Sequence, residues 1–135
     1  MTEGQELDLA GRIIGLATKV HRTLGPGFLE GVYENALCLE LQREGLVFER
    51  QKALRVLYEG VVVGDFVSDL VIEGELLVEL KAVTMLVPVH EVQLVNYLTA
   101  TGVENGLLLN FGAASLEFKR KYRTYRAPKA RDLVL

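Results

Sequence analysis

The hydrophobic period of this chain changes at Gly45, and the change restricts what it can fold into. Before it, Leu9, Ile13, Leu16, Val20 and Leu24 recur at steps of three and four, the period of an amphipathic helix over Leu7 to Leu24. Gly25-Pro26-Gly27 breaks that pattern. A second helical stripe follows in Leu29, Val32, Tyr33, Ala36, Leu37 and Leu41, with Gly45 suited to the left-handed position that ends a helix. After Gly45 the texture turns β-branched and aromatic, and Val47 to Tyr58, Val61 to Ile72 and Leu76 to Val83 read as three strands. Glu59-Gly60 and Glu73-Gly74-Glu75 supply the turns between them. Pro88 suits the first turn of a third helix running to Gly102, and two more strands, Gly106 to Asn110 and Leu116 to Tyr122, complete the order ααβββαββ. Such an order predicts an α/β sandwich around a mixed or mostly antiparallel sheet. At 135 residues, without internal repeat or linker, the chain fits a single domain, and residues 1 to 5 and 127 to 135 are expected to be mobile ends.

Composition removes several classes of function. Apolar runs such as Val61 to Val63 and Leu107 to Leu109 are far shorter than the roughly 20 residues that span a bilayer. The acidic start, with Glu3, Glu6 and Asp8, is unlike a secretory signal and points to a cytoplasmic protein. One cysteine, Cys38, forms no internal disulfide and is read as a small buried apolar residue; with only two histidines there is no thiolate or imidazole zinc cage. Any metal must be held mainly by oxygen. The net charge of −3 conceals a split, because residues 1 to 116 carry −8 and residues 117 to 135 carry +5. The basic end, Lys119, Arg120, Lys121, Arg123, Arg126, Lys129 and Arg131 with Tyr122 and Tyr125 interleaved, can follow a phosphate backbone or can simply solvate an edge strand.

The acids fall in a pattern that matters. If Glu73-Gly74-Glu75 is the loop, Ile72 faces Leu76 and Asp69 faces Glu79 across the hairpin. Alternation then puts Leu70, Ile72, Leu76, Val78 and Leu80 on one side of the sheet, and Asp69, Val71, Leu77, Glu79 and Lys81 on the other. Directly opposed residues have Cβ atoms roughly 4.5 to 5.5 Å apart. Two carboxylates that close in a half-buried place are unfavourable unless a cation or a proton intervenes. Lys81 or a metal ion could neutralise them. The competing reading is an exposed hairpin in which Lys81 pairs with Glu79 for little energy.

Asp69, nine residues, then Glu79-Leu80-Lys81 resembles the signature of the PD-(D/E)xK nuclease superfamily. Gly27-Phe28-Leu29-Glu30-Gly31-Val32-Tyr33 resembles the GxxExxY motif that names one of its small bacterial families. His21 to Gly27 and Val89 to Leu98 are similar too, so the resemblance spans about residues 8 to 125; Ser68 stands where the superfamily's name suggests proline. The resemblance implies a restriction-endonuclease-like three-layer sandwich with a central mixed sheet. It implies Mg²⁺ or Mn²⁺ at Asp69 and Glu79, with Glu30 as a helix acid completing the metal site directly or through water. Lys81 then assists attack on a phosphodiester, and Gln93 contacts phosphate or water. Tyr33, Tyr97, Lys119 and Lys121 are further candidate substrate contacts. His21 and His90 are read as structural. The partner implied is DNA or RNA, with self-association plausible for so small a domain. Two alternatives stand beside the nuclease: a catalytically silent module on the same fold that binds nucleic acid or protein, and a metal-dependent hydrolase of another phosphate compound.

Overall fold

A computed structural model describes residues 7–123. The expected mobile ends lie outside this range, as do Tyr125, Arg126, Lys129 and Arg131 of the basic segment. Helix α1 (Leu9–Leu24) starts two residues later than the periodicity predicts, because Asp8 caps it: its Oδ1 accepts a hydrogen bond from the Gly11 N–H at 2.9 Å. Helix α2 (Glu30–Arg43) follows, and Gly45 has the expected left-handed φ of 71°. Strands β1 (Phe48–Tyr58), β2 (Val61–Ile72) and β3 (Leu76–Lys81), helix α3 (Pro88–Thr101), and strands β4 (Asn105–Asn110) and β5 (Glu117–Tyr122) complete the predicted order. Among these described residues no helix is long and apolar enough to cross a membrane.

The sheet runs β1-β2-β3-β4-β5, antiparallel except for the parallel β3–β4 pair, and is therefore mixed. Leu70, Ile72, Leu76, Val78 and Leu80 pack with Ile13, Ala17, Leu37 and Leu41 on the α1 and α2 side. Leu77 and Leu108 pack with Leu94 and Leu98 of α3 on the other. These are the two faces that alternation predicts, and they make three layers. Each fully buried leucine of this kind adds about 1.5–3 kcal/mol of stability, so the sheet's middle is strongly determined.

The end of β3 is held from two sides. Lys81 O accepts from the Phe111 N–H at 2.8 Å, and the Val83 N–H donates to Asn110 Oδ1 at 2.9 Å. Gly112 lies against the backbone of Ala82 and Val83 so closely that a Cβ there would collide with it. Strand β3 thus stops at Lys81 rather than running to Val83, because the chain is turned by this clasp.

Strands β2 and β3 stay together for only a short stretch. Ile72 pairs with Leu76 and Leu70 with Val78, the predicted register, and there the ladder ends. Upstream of Asp69, β2 pairs with β1 alone as a two-stranded arm closed by Glu59 and Gly60, both with positive φ (49° and 80°). The strands therefore part at the rung where Asp69 and Glu79 would face each other.

Candidate active site

At that rung Asp69 substitutes its own side chain for a ladder bond: Oδ2 accepts from the Leu80 N–H at 2.8 Å. Its carboxyl also meets the carboxyl of Glu79, while the neighbouring Ser68 hydroxyl donates to Leu70 O at 3.2 Å. Glu79 is partly buried, and burial followed by the Asp69 charge pushes its pKa up to about 8. A pKa near 8 favours the protonated form of Glu79 at neutral pH, which relieves the opposition of two anions. One oxygen remains unused, because Glu79 Oε1 is buried with no hydrogen-bond partner among the described residues. A buried acceptor of this kind is costly unless something else binds it.

Four further predicted residues lie near the pair. Lys81 is half-buried at the end of β3. Among the described residues it forms no ion pair, so Lys81 does not simply neutralise Glu79. Glu30, at the start of α2, feels Asp69 and Lys81; burial first and Asp69 second raise its pKa. The Tyr97 hydroxyl on α3 has its pKa raised by burial and then by Glu79, and its ring stacks on Phe66 of the β-arm with centroids 3.8 Å apart and 10° between planes. Gln93 is exposed on the same helix face.

Several predicted roles change. Among the described residues no three His, Cys, Asp or Glu side chains cluster closely enough to hold a metal ion by themselves. Glu30 is thus not gathered with Asp69 and Glu79 into one such cluster. Tyr33 is fully buried and cannot touch substrate. Its hydroxyl donates to Gly25 O at 2.6 Å and accepts from the Phe28 N–H at 3.1 Å, and its ring stacks on Phe111. It pins the turn that presents Glu30. Lys121 is paired with Glu91 of α3 at 3.1 Å, while Lys119 is exposed on the same strand. His21 bonds to Ala113 O through Nε2 at 2.9 Å, and His90 Nδ1 accepts from the Val87 N–H at 3.2 Å where α3 begins, so both are structural.

Sequence reasoning missed a second tier. Glu34 of α2 is buried; both Arg50 Nε (3.0 Å) and Arg50 Nη2 (2.9 Å) donate to its Oε2. Gln51 Nε2 donates to Glu34 Oε1 at 2.8 Å and to Asp69 Oδ1 at 3.4 Å. Glu34 lies four residues beyond Glu30, one turn along the same helix face, which is the only hint of it in the sequence.

A family model described as the PD-(D/E)XK nuclease superfamily matches residues 7–121, which include the acids, the lysine and the helix that carries Glu30. The chain belongs to the PD-(D/E)XK nuclease superfamily. For this PD-(D/E)XK protein, no curated protein gives a match. The solved crystal structure of SSO0001 is similar at 14% identity and a TM-score of 0.45, over 84% of this chain and 68% of that one. PD-(D/E)XK nucleases generally use divalent metal ions. The donor set fits one here, since Mg²⁺ commonly takes one or two carboxylates and completes its shell with water and substrate phosphate. Asp69 and Glu79, with the unpartnered Oε1, are the residues that would hold it.

Proposed function

We propose that this chain is a metal-dependent nuclease that hydrolyses phosphodiester bonds of nucleic acid, of the small family named for its GxxExxY motif. The observation that carries the reading is the Asp69–Glu79 contact at the parted strands, with Glu79 Oε1 buried and unpartnered. A fold gains nothing from such a pair, whereas a site for a hard cation needs it.

Mg²⁺ or Mn²⁺, when bound, would supply Lewis-acid polarisation of the phosphodiester. The chain's own groups do the rest. Asp69 is fixed by the Leu80 N–H, so its carboxylate is aimed before substrate arrives. The Lys81 ammonium, two residues from Glu79 on the same strand face and without an ion-pair partner among the described residues, is free to offset negative charge as it develops on the phosphate. Glu30 orients a water at the mouth of the site rather than binding metal itself. Gln93, Tyr97 and Lys119 present an amide, a ring and an ammonium to the substrate strand.

The test is incubation with single- and double-stranded DNA and RNA in Mg²⁺ or Mn²⁺, comparing wild type with Asp69→Ala and Lys81→Ala. Cleavage that both substitutions abolish supports the reading, and cleavage that neither reduces removes it. A salt-sensitive complex with no cleavage product would favour the silent binding module instead.

A further inference from the structure

Within β1 the backbone turns left-handed at one residue, well before the bulge between Val56 and Leu57. Gln51 has φ 47°, in the left-handed region that side-chain-bearing residues avoid. It also falls out of the ladder: Arg50 pairs with Leu70 and Lys52 with Ser68, while the rung between them, Gln51 opposite Asp69, is unpaired. Such strain persists where the surrounding structure imposes it, and it concentrates at functional positions.

The side chain shows what the strain achieves. In a regular strand Gln51 would share a face with Asp69, away from α2, and Arg50 would face α2. The left-handed residue breaks that alternation, so one amide reaches both Glu34 on α2 (2.8 Å) and Asp69 on β2 (3.4 Å). Both partners are acceptors, so the NH₂ end of the amide must face them, and its two protons suffice for both. Arg50 holds the other oxygen of Glu34. A chain of contacts, Arg50 to Glu34 to Gln51 to Asp69, thus runs from helix to acid. It delivers a neutral donor to a carboxylate otherwise bordered by Glu79 and Glu30.

We infer that Gln51 is the positioning residue for Asp69, holding that carboxylate in the orientation its divalent ion requires. The inference rests on the nuclease reading. Positioning partners of metal ligands typically change metal affinity by about 10- to 100-fold when removed.

The experiment is calorimetric titration of Mn²⁺ into wild type, Asp69→Ala, Gln51→Gly and Gln51→Asn, with thermal melting of each metal-free protein. Glycine and asparagine both accept the left-handed backbone, so neither adds strain, and neither can place a donor on Glu34 and Asp69 together. Expected is a loss of Mn²⁺ affinity of about tenfold or more in both Gln51 variants, with melting within a few degrees of wild type. If both variants bind Mn²⁺ as wild type does while Asp69→Ala does not, the inference falls and the nuclease reading stands. A parallel fall in melting and affinity would make Gln51 merely structural and also overturn it. Binding that survives even Asp69→Ala overturns both.

Discussion

Glu34 and Glu79 are the same side chain in two kinds of interior. Glu34 faces a guanidinium and an amide, and both its oxygens are occupied. Glu79 faces another carboxyl, keeps a proton to about pH 8, and leaves Oε1 without a partner. The first acid is built into the fold and the second is left open within it. Burial alone therefore does not mark a functional acid; what distinguishes it is burial without the counter-charge that would make it structurally useful.

Substitution can break that comparison. Glu79→Gln keeps shape and a hydrogen-bonding end while removing the charge, so metal-dependent cleavage should fall by about a hundredfold or more while the fold is retained, measured by initial rates beside a melting curve. Glu34→Gln should do the reverse in emphasis. It leaves Arg50 without its anion and is expected to cost about 1–3 kcal/mol in urea unfolding, an amount limited because Arg50 is partly solvated.

A pH series sharpens the contrast. The folded-state pKa of Glu79 lies above its unfolded value, so its contribution to stability is fully present below about pH 4.5 and is lost as pH rises through about 8. Metal-free wild type should melt progressively lower than Glu79→Gln between pH 5 and 8.5, the two converging in acid; parallel profiles would contradict the assignment. The smallest effect belongs to Glu40, whose partners Lys19 and Arg43 are mostly exposed. Glu40→Gln should change unfolding free energy by no more than about 1 kcal/mol, and less in high salt.

Which parts of this were legible follows the physics of each. Period and turn chemistry are local, so all eight elements, both sheet faces and the 72–76 register could be read from residues alone. Helix and strand ends shifted where nonlocal groups intervene, as at Val83, which the Asn110 side chain and Gly112 turn out of the sheet. The Asp69–Glu79 contact was legible because one hairpin carries it. Gln51 was not. From the Tyr58–Val61 end of the arm, simple pairing would set Gln51 against Ser68, and only the bulge between Val56 and Leu57 moves it opposite Asp69. A one-residue bulge leaves no period to read. Tyr33 misled for the opposite reason, since a motif tyrosine beside an acid looks like a substrate contact until its hydroxyl is seen tied to Gly25 and Phe28.

The central claim is that the proton on Glu79 stands where a divalent cation would. Titrating Mn²⁺ at pH 7 in buffers of different ionisation enthalpy counts the protons released on binding. Close to one proton should leave per ion bound in wild type, and none in Glu79→Gln. Binding without proton release, or release unchanged by that substitution, would contradict the account.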